Sequence, residues 1–251
     1  MNITELDFLA IRISRQFKDG SLAFLGVSSG VHLAALRVAQ ATTCPRLAYI
    51  EKGGRFTPAR ITINGEMRHS PPPIATRDLD SMIDLVDWRA DFFDVAMLGG
   101  IQIDRYGNVN MIAVGPYDKP ALRGPGTIGA SALSALVHET HLVAEQHTAR
   151  NLVNEVDHCS GLGHHYKDRT RSKLGMSARG PVALHTPLAS FNFEGDIPSA
   201  RLVEVVGDAN LAGVQKITGF EVIASSRGVH RAPPPTQSEL DALEQIRADS
   251  D

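Results

Sequence analysis

Only two cysteines, Cys44 and Cys159, occur in the 251 residues, and they form no Cys-x-x-Cys pair. That excludes a disulfide-stapled scaffold and suits a reducing compartment. Each is expected to act as a small buried hydrophobe. No apolar run approaches the length of a bilayer span, so no membrane partner is expected. Charge of either sign is not in excess: 25 basic and 28 acidic residues leave a formal net charge of −3. Without a basic surplus nothing favours nucleic acid or an anionic lipid surface. Met1 to Asp7 carries two acids, no base and no long apolar stretch. No secretory leader is expected there, and a cytoplasmic location is. Nucleotide signatures are also missing. No Gly-x-Gly-x-x-Gly opens the first strand-helix unit, and no Gly-x-x-x-x-Gly-Lys-Ser/Thr is present. His138, His141, His147, His164 and His165 match no zinc spacing, so no metal is expected.

What is present is ordinary globular composition, 43% hydrophobic and 21% charged, in a length that fits one large α/β domain or two small ones. Thr4 to about Lys18 reads as a helix. Leu6, Leu9, Ala10, Ile13 and Phe17 recur at helical spacing, and Thr4 with Asp7 has the form of a capping box. Ser21 to Val27 reads as a buried strand. The small-residue loop Gly26-Val27-Ser28-Ser29-Gly30 follows, then a helix over about Val31 to Gln40 and a strand over Leu47 to Glu51. This β-α-β opening implies a parallel pair of strands.

Residues 55 to 78 are less regular, with a short strand at Arg60 to Gly65 and a stiff Ser70-Pro71-Pro72-Pro73 connector. Asp78 to Trp88 has helical spacing. Asp94 to Leu98 is an apolar strand that runs into Gly99-Gly100. The segment Gly99 to Asn110 then alternates polar Gln102, Asp104, Asn108 and Asn110 with Ile101, Ile103 and Val109, around turn chemistry at Gly107-Asn108. A return strand is expected over Val109 to Val114. Gly124-Pro125-Gly126-Thr127-Ile128-Gly129 is a second glycine-rich turn, before a helix at Ala130 to Val137. His141 to His147 reads as a strand. Ser160-Gly161-Leu162-Gly163 is another close-approach loop. Residues 164 to 179, rich in Lys and Arg, read as a mobile basic surface loop. Late strands are expected at Val182 to Leu184, Ala189 to Phe193 and Arg201 to Val206. Asp208 is expected to cap a short helix through Val214, and about Gln237 to Arg247 reads as a polar helix.

Three glycine-rich loops thus follow strands, and one strand ends in Glu51-Lys52-Gly53-Gly54. In an open α/β sheet the ligand site lies at the carboxyl ends of the strands. A carboxylate followed by glycines at such an end stands where the backbone can turn sharply and a ligand can come close. Equally, it fits an ordinary solvated strand-end acid.

Gly99-Gly100-Ile101-Gln102-Ile103-Asp104-Arg105-Tyr106-Gly107-Asn108-Val109-Asn110, with Lys119-Pro120 and Gly124-Pro125-Gly126, resembles the β subunit of heteromeric family I coenzyme A transferases of the glutaconate CoA-transferase type. The resemblance covers roughly residues 5 to 225. It implies an α/β fold with an open, mostly parallel sheet flanked by helices, residues 1 to 230 forming that domain and 231 to 251 a polar tail or helix. It also implies an α-subunit partner, and CoA as a co-substrate with no tightly bound cofactor. The family's catalytic carboxylate lies in a strand-end Glu-x-Gly, and Glu51-Lys52-Gly53 falls where that motif belongs. Glu51 would attack an acyl-CoA carbonyl, and the released thiolate would convert the mixed anhydride to a glutamyl-CoA thioester. Ser28, Ser29, Gly30, Gly53, Gly99, Gly100, Gln102, Asn108, Gly124, Gly126 and Thr127 are the expected substrate- and CoA-binding positions. Backbone N–H groups at 28–30 and 124–127 would hold the oxyanion, and Gln102 and Asn108 would orient the acyl group.

One departure matters. Transferase β subunits usually carry Gly-x-Gly-Gly-Ala at the second glycine turn, and here Thr127-Ile128 replaces its last two residues. That turn and the Ser160 to Gly163 loop lean toward a sister group of CoA-ester hydrolases that open steroid-derived rings. In that group the working acid commonly sits on the partner subunit. A third alternative is a non-catalytic scaffold subunit.

Overall fold

A computed structural model describes residues 3–25, 30–51, 55–57, 61–63, 66–68, 74–75, 90–127, 129–176 and 180–248; from 51 to 90 only the backbone is described. The helix expected over 78–88 and the proline connector lie outside these residues. By internal contacts the chain divides into two units. The first holds Met1–Leu85, Phe93–Ala96 and Pro233–Asp251, and the second Val86–Phe92 and Met97–Ala232.

In the first unit, helix α1 (Glu5–Ser14) starts where the capping box places it. The Asp7 N–H donates to Thr4 Oγ1 at 3.2 Å, and the Thr4 N–H donates back to Asp7 Oδ2 at 2.6 Å. It stops four residues earlier than its apolar spacing suggests. The Ser14 hydroxyl takes the Ile11 carbonyl, and the Gln16 N–H tightens onto Ile13. Strand β1 (Leu22–Leu25) lies parallel to β2 (Ala48–Glu51), and helix α2 (Gly30–Ala41) connects them. The expected β-α-β opening is therefore present. On its other side β2 pairs antiparallel with β3 (Arg55–Thr57), which pairs antiparallel with β6 (Ile74–Ala75). Between them β4 (Ile61–Ile63) and β5 (Glu66–Arg68) form a hairpin. Cys44 is buried, its thiol against the Phe17 carbonyl, as a small core residue should be.

The second unit is built mainly of strands. β7 (Val95–Gly99) enters it from the first unit. β8 (Gln102–Asp104) pairs antiparallel with β9 (Val109–Asn110), and β10 (Ala113–Val114) with β11 (Leu122–Arg123). Helix α3 (Ala130–Leu136) leads into β12 (Glu139–Val143). β13 (Leu152–Val153) lies parallel to β8, and β14 (His165–Tyr166) forms a small hairpin with β15 (Arg169–Thr170). β12 is parallel to β16 (Pro181–His185), which continues antiparallel into β17 (Ala189–Glu194) and β18 (Ser199–Val205). Helix α4 (Leu211–Lys216) follows, then β19 (Ile223–Ala224) and β20 (His230–Arg231), both parallel to β18. The α/β class expected from the sequence is the class found. Its parallel pairs β1–β2 and β12–β16 are extended by antiparallel strands.

Three expected boundaries move for identifiable reasons. The return strand over 109–114 is split, because Asn110 Oδ1 takes the N–H groups of Ile112 and Ala113 and turns the chain. Asn210, not Asp208, caps α4, accepting from the Gly213 N–H at 2.9 Å, while Asp208 pairs with Arg231. The strand expected at 141–147 ends at Val143, and His147 is instead held between the hydroxyls of Thr186 and Thr218.

Helix α5 (Gln237–Ala248) packs in the first unit, where Ala242 and Leu243 join Ile11 and Val38 in one buried cluster. Glu239 fixes it there. Its carboxylate takes both Nε and Nη2 of Arg15, at 2.7 and 2.8 Å, and closes a capping box with Thr236. Arg15 also donates to the Pro233 and Pro234 carbonyls. Burial raises the Glu239 pKa, but the Arg15 and Thr236 hydrogen bonds outweigh it and the net shift is downward. A carboxyl lowered on folding stabilises above its unfolded pKa and loses that contribution as pH falls through its folded pKa. Glu239→Ala is expected to cost about 1 to 2 kcal/mol at neutral pH, a value discounted for the solvent contact of Arg15. The gap should close on acidification in denaturant titrations of both proteins.

Candidate functional site

The segment that stood out in the sequence forms a compact polar frame in the second unit. Asp104 is buried at the end of β8. Its Oδ1 accepts from the N–H groups of Tyr106 at 2.9 Å and Asn108 at 3.0 Å, and its Oδ2 from Asn108 Nδ2 at 2.8 Å. This is the turn chemistry of Asx residues, closed around Gly107 at φ +77°. Burial pushes the Asp104 pKa up to about 6, against the pull of the Asn108 side chain and the backbone N–H groups around it. Beside it, Gln102 Oε1 accepts from Asn110 Nδ2 at 2.7 Å and from the Asp157 N–H at 3.0 Å.

Asn108 is fully buried and joins three segments. Its amide hydrogens go to Asp104 and to the His165 carbonyl at 2.7 Å, and its Oδ1 accepts from the Gly163 N–H at 2.8 Å. Gly163 is needed at that spot. A Cβ there would meet the Tyr106 carbonyl, with Gly107 C at 2.5 Å and Asn108 N at 2.6 Å. The Ser160 and Gly161 N–H groups both reach the Val109 carbonyl, and the Met111 N–H donates to Ser160 Oγ.

Arg171 completes the frame, and here the basic stretch is not what its composition suggests. Its guanidinium is buried and donates to the carbonyls of Leu162 at 2.8 Å, Gly163 at 3.3 Å, Ser134 at 2.7 Å and Ala135 at 3.4 Å. Ser134 and Ala135 belong to the last turn of α3, where carbonyls lack helical partners and a cation is favoured. Nothing in a run of Lys and Arg distinguishes this one side chain. Asp104, four residues before Asn108 across a Gly-containing turn, was the more legible signal.

The expected site residues sort differently from their expected roles. Gly99 ends β7, and Gly100 has Val109 Cγ1 2.5 Å and the Asn110 carbonyl 2.7 Å from where a Cβ would stand. Asn108, with its amide hydrogens and carbonyl engaged inside the protein, braces the frame rather than orienting an acyl group. Gln102, buried with its carbonyl taken by two donors, also braces it. The N–H groups of Gly124 and Gly126 donate to the carbonyls of Ile112 and Met111, at 2.7 and 3.0 Å, and Pro125 has none. Those two are therefore not oxyanion donors in this arrangement. Thr127, half-buried, accepts from the Ala130 N–H at the start of α3.

In the first unit, Glu51 ends β2, opposite Leu25 of β1 and Arg55 of β3. It stands at the carboxyl end of the parallel pair, the end at which ligands of α/β sheets bind. Gly30 begins α2. Ser28, Ser29 and Gly53 lie outside the described residues. Gly26-Val27-Ser28-Ser29-Gly30 also has the Gly-x-Ser-x-Gly spacing of a hydrolase nucleophile elbow, with a strand before it and a helix after it.

A profile of the Coenzyme A transferase family matches residues 7–178. One of the two kinds of chain in the 3-oxoadipate CoA-transferase of Pseudomonas knackmussii is 27% identical over 96% of this chain and 92% of its own. The cholesterol ring-cleaving hydrolase IpdB subunit of Rhodococcus jostii is 28% identical over 60% of this chain and 58% of its own. Among solved structures, glutaconate coenzyme A-transferase from Acidaminococcus fermentans superposes with a TM-score of 0.81 at 21% identity, over 97% of this chain and 94% of that one. The decarboxylase AibA/AibB superposes with a TM-score of 0.76 at 26% identity, over 97% and 94%.

Asn108→Ala should leave the Gly163 N–H, the His165 carbonyl and the Asp104 carboxylate short of a partner. The expected loss is about 3 kcal/mol in denaturant unfolding. A carboxyl whose pKa rises on folding stabilises below its unfolded value and loses that contribution as pH rises through the folded one. Asp104 titrates at about 6. Wild type should therefore gain stability relative to Asp104→Asn as pH falls through about 6, read by thermal unfolding across pH.

Proposed function

The chain belongs to the coenzyme A transferase family, and from that premise we propose that it is the β subunit of a heteromeric enzyme that moves CoA between an acyl-CoA and a carboxylic acid. The observation that carries the reading is the position of Glu51 at the carboxyl end of the parallel β1–β2 pair, within a Glu-x-Gly motif. Glu51 attacks the thioester carbonyl, expelling CoA thiolate and leaving an acyl-glutamyl anhydride. The thiolate attacks the glutamyl carbonyl and releases the acid, which leaves a glutamyl-CoA thioester. A second carboxylic acid reverses both steps. Each step exchanges one acyl-heteroatom bond for another, so no outside oxidant or metal is called for. A carboxylate is a weak nucleophile, and holding it against the thioester supplies the advantage. CoA serves as co-substrate, and the α subunit supplies the rest of the site in the cytoplasm.

The hydrolase reading has its own support. Thr127 stands where the transferase turn carries glycine, and the IpdB relatives are ring-cleaving hydrolases by name. The same fold also carries a decarboxylase. Under the hydrolase reading the working acid lies on the partner subunit and Glu51 is dispensable.

The deciding experiment incubates the co-expressed complex with an acyl-CoA and no acceptor acid, then reads intact mass. A CoA-mass adduct that maps to Glu51 and yields to hydroxylamine is expected, absent in Glu51→Gln and retained in Ser28→Ala. Turnover of a cyclic CoA ester with full activity in Glu51→Gln would instead sink the transferase reading.

A further inference from the structure

One row of polar side chains in the second unit has no part in the frame around Asn108. It crosses the sheet at right angles to the strands. His185 on β16 is the register partner of Ser190 on β17, Ser190 of Glu204 on β18, and Glu204 of His230 on β20. His141 on β12 joins the inner end, its ring stacked on that of His185 with centroids 5.4 Å apart. Directly opposed residues on neighbouring strands project to the same face, so the five groups touch in sequence. His141 Nδ1 lies 3.1 Å from His185 Nε2, and His185 Nδ1 lies 3.1 Å from Ser190 Oγ. Ser190 Oγ lies 3.1 Å from Glu204 Oε1, and Glu204 Oε2 lies 3.5 Å from His230 Nε2. His141, His185 and Ser190 are buried, whereas the His230 side chain is 63% exposed.

The donors in this row can be assigned. A carboxylate only accepts, so the Ser190 hydroxyl donates to Glu204. The serine oxygen must then accept from His185, which fixes the His185 proton on Nδ1. In a neutral ring that leaves Nε2 as acceptor, so His141 donates from its own Nδ1. Every hydrogen bond points toward Glu204.

We propose that this row is a proton relay joining His141 in the interior to His230 at the surface, polarised so that protons leave through Glu204. A proton taken up at His141 Nε2 displaces the one on Nδ1 to His185 Nε2. The His185 Nδ1 proton passes to Ser190, and the serine proton passes to Glu204 Oε1. The neutral carboxylic acid then gives its proton to His230 or to water. One proton enters, one leaves, and each bond formed is matched by one broken. Burying five polar groups in a row costs free energy that apolar residues would avoid. A continuous path to solvent gives the arrangement a use beyond packing. The relay does not depend on which acyl chemistry the enzyme performs.

The test uses the full-length protein with 15N-labelled histidines. Long-range nitrogen–proton spectra should show both His141 and His185 protonated on Nδ1 and bare on Nε2 at neutral pH. Exchange of the His185 Nδ1 proton with deuterated water should slow by about tenfold in Ser190→Ala, the factor that accompanies loss of one ordinary hydrogen bond. His230→Ala alters only an exposed side chain and should also slow it, which keeps the test decisive if Ser190→Ala folds poorly. A His185 proton on Nε2, or unchanged exchange in both variants, would overturn the relay; fixed tautomers with unchanged exchange would leave a static row.

Discussion

The Asn108 side chain is the interaction on which the frame of the second unit depends. One primary amide has two donors and one carbonyl, and each is spent on a different segment: Asp104 in its own turn, the His165 carbonyl of the β14 hairpin, and the Gly163 N–H. An aspartate there would lack the donors and face Asp104 with a second charge. A glutamine would add a methylene to a position with no solvent contact. The close approach of Gly163 follows from the same geometry, because the loop must come near enough for its N–H to reach an amide buried beneath it.

Arg171 works from the opposite side. Four carbonyls from two segments converge on its guanidinium, and a planar fork with five N–H groups suits that better than an ammonium on a flexible stem. Together Asn108 and Arg171 hold the Ser160–Gly163 loop through polar contacts rather than through a hydrophobic seam. In this unit rigidity comes from satisfied hydrogen bonds in a low-dielectric setting, where each bond supports its neighbours.

Much of this architecture was legible from residue order because it is local. The Thr4–Asp7 capping box, the β-α-β opening and the alternation around Gly107 are relations over a few residues, and each appeared where expected. The failures have a common cause. Gln102 and Asn108 look like ligand-binding residues because they are polar in an apolar context, but a buried amide satisfied by distant backbone leaves the same trace. Met111 and Ile112 capture the Gly124 and Gly126 N–H groups from a dozen residues upstream, and no turn rule anticipates that. Arg171 is hidden because composition cannot tell one buried guanidinium from four solvated neighbours. The row from His141 to His230 is visible only once five strands are set side by side.

Arg15 and Glu239 are 224 positions apart, and that separation orders the events of biosynthesis. A ribosome completes the whole second unit before it makes Pro233. Until then α1 and α2 exist with their apolar faces open, since Ala242 and Leu243, which close over Ile11 and Val38, have not been made. Domains otherwise tend to fold in the order they emerge. Here the segment made first is finished last, and a nascent chain stalled anywhere before residue 239 carries an exposed hydrophobic surface at its beginning. Chaperone occupancy of this protein during translation should be weighted toward its opening helices, and release should coincide with the arrival of the last one.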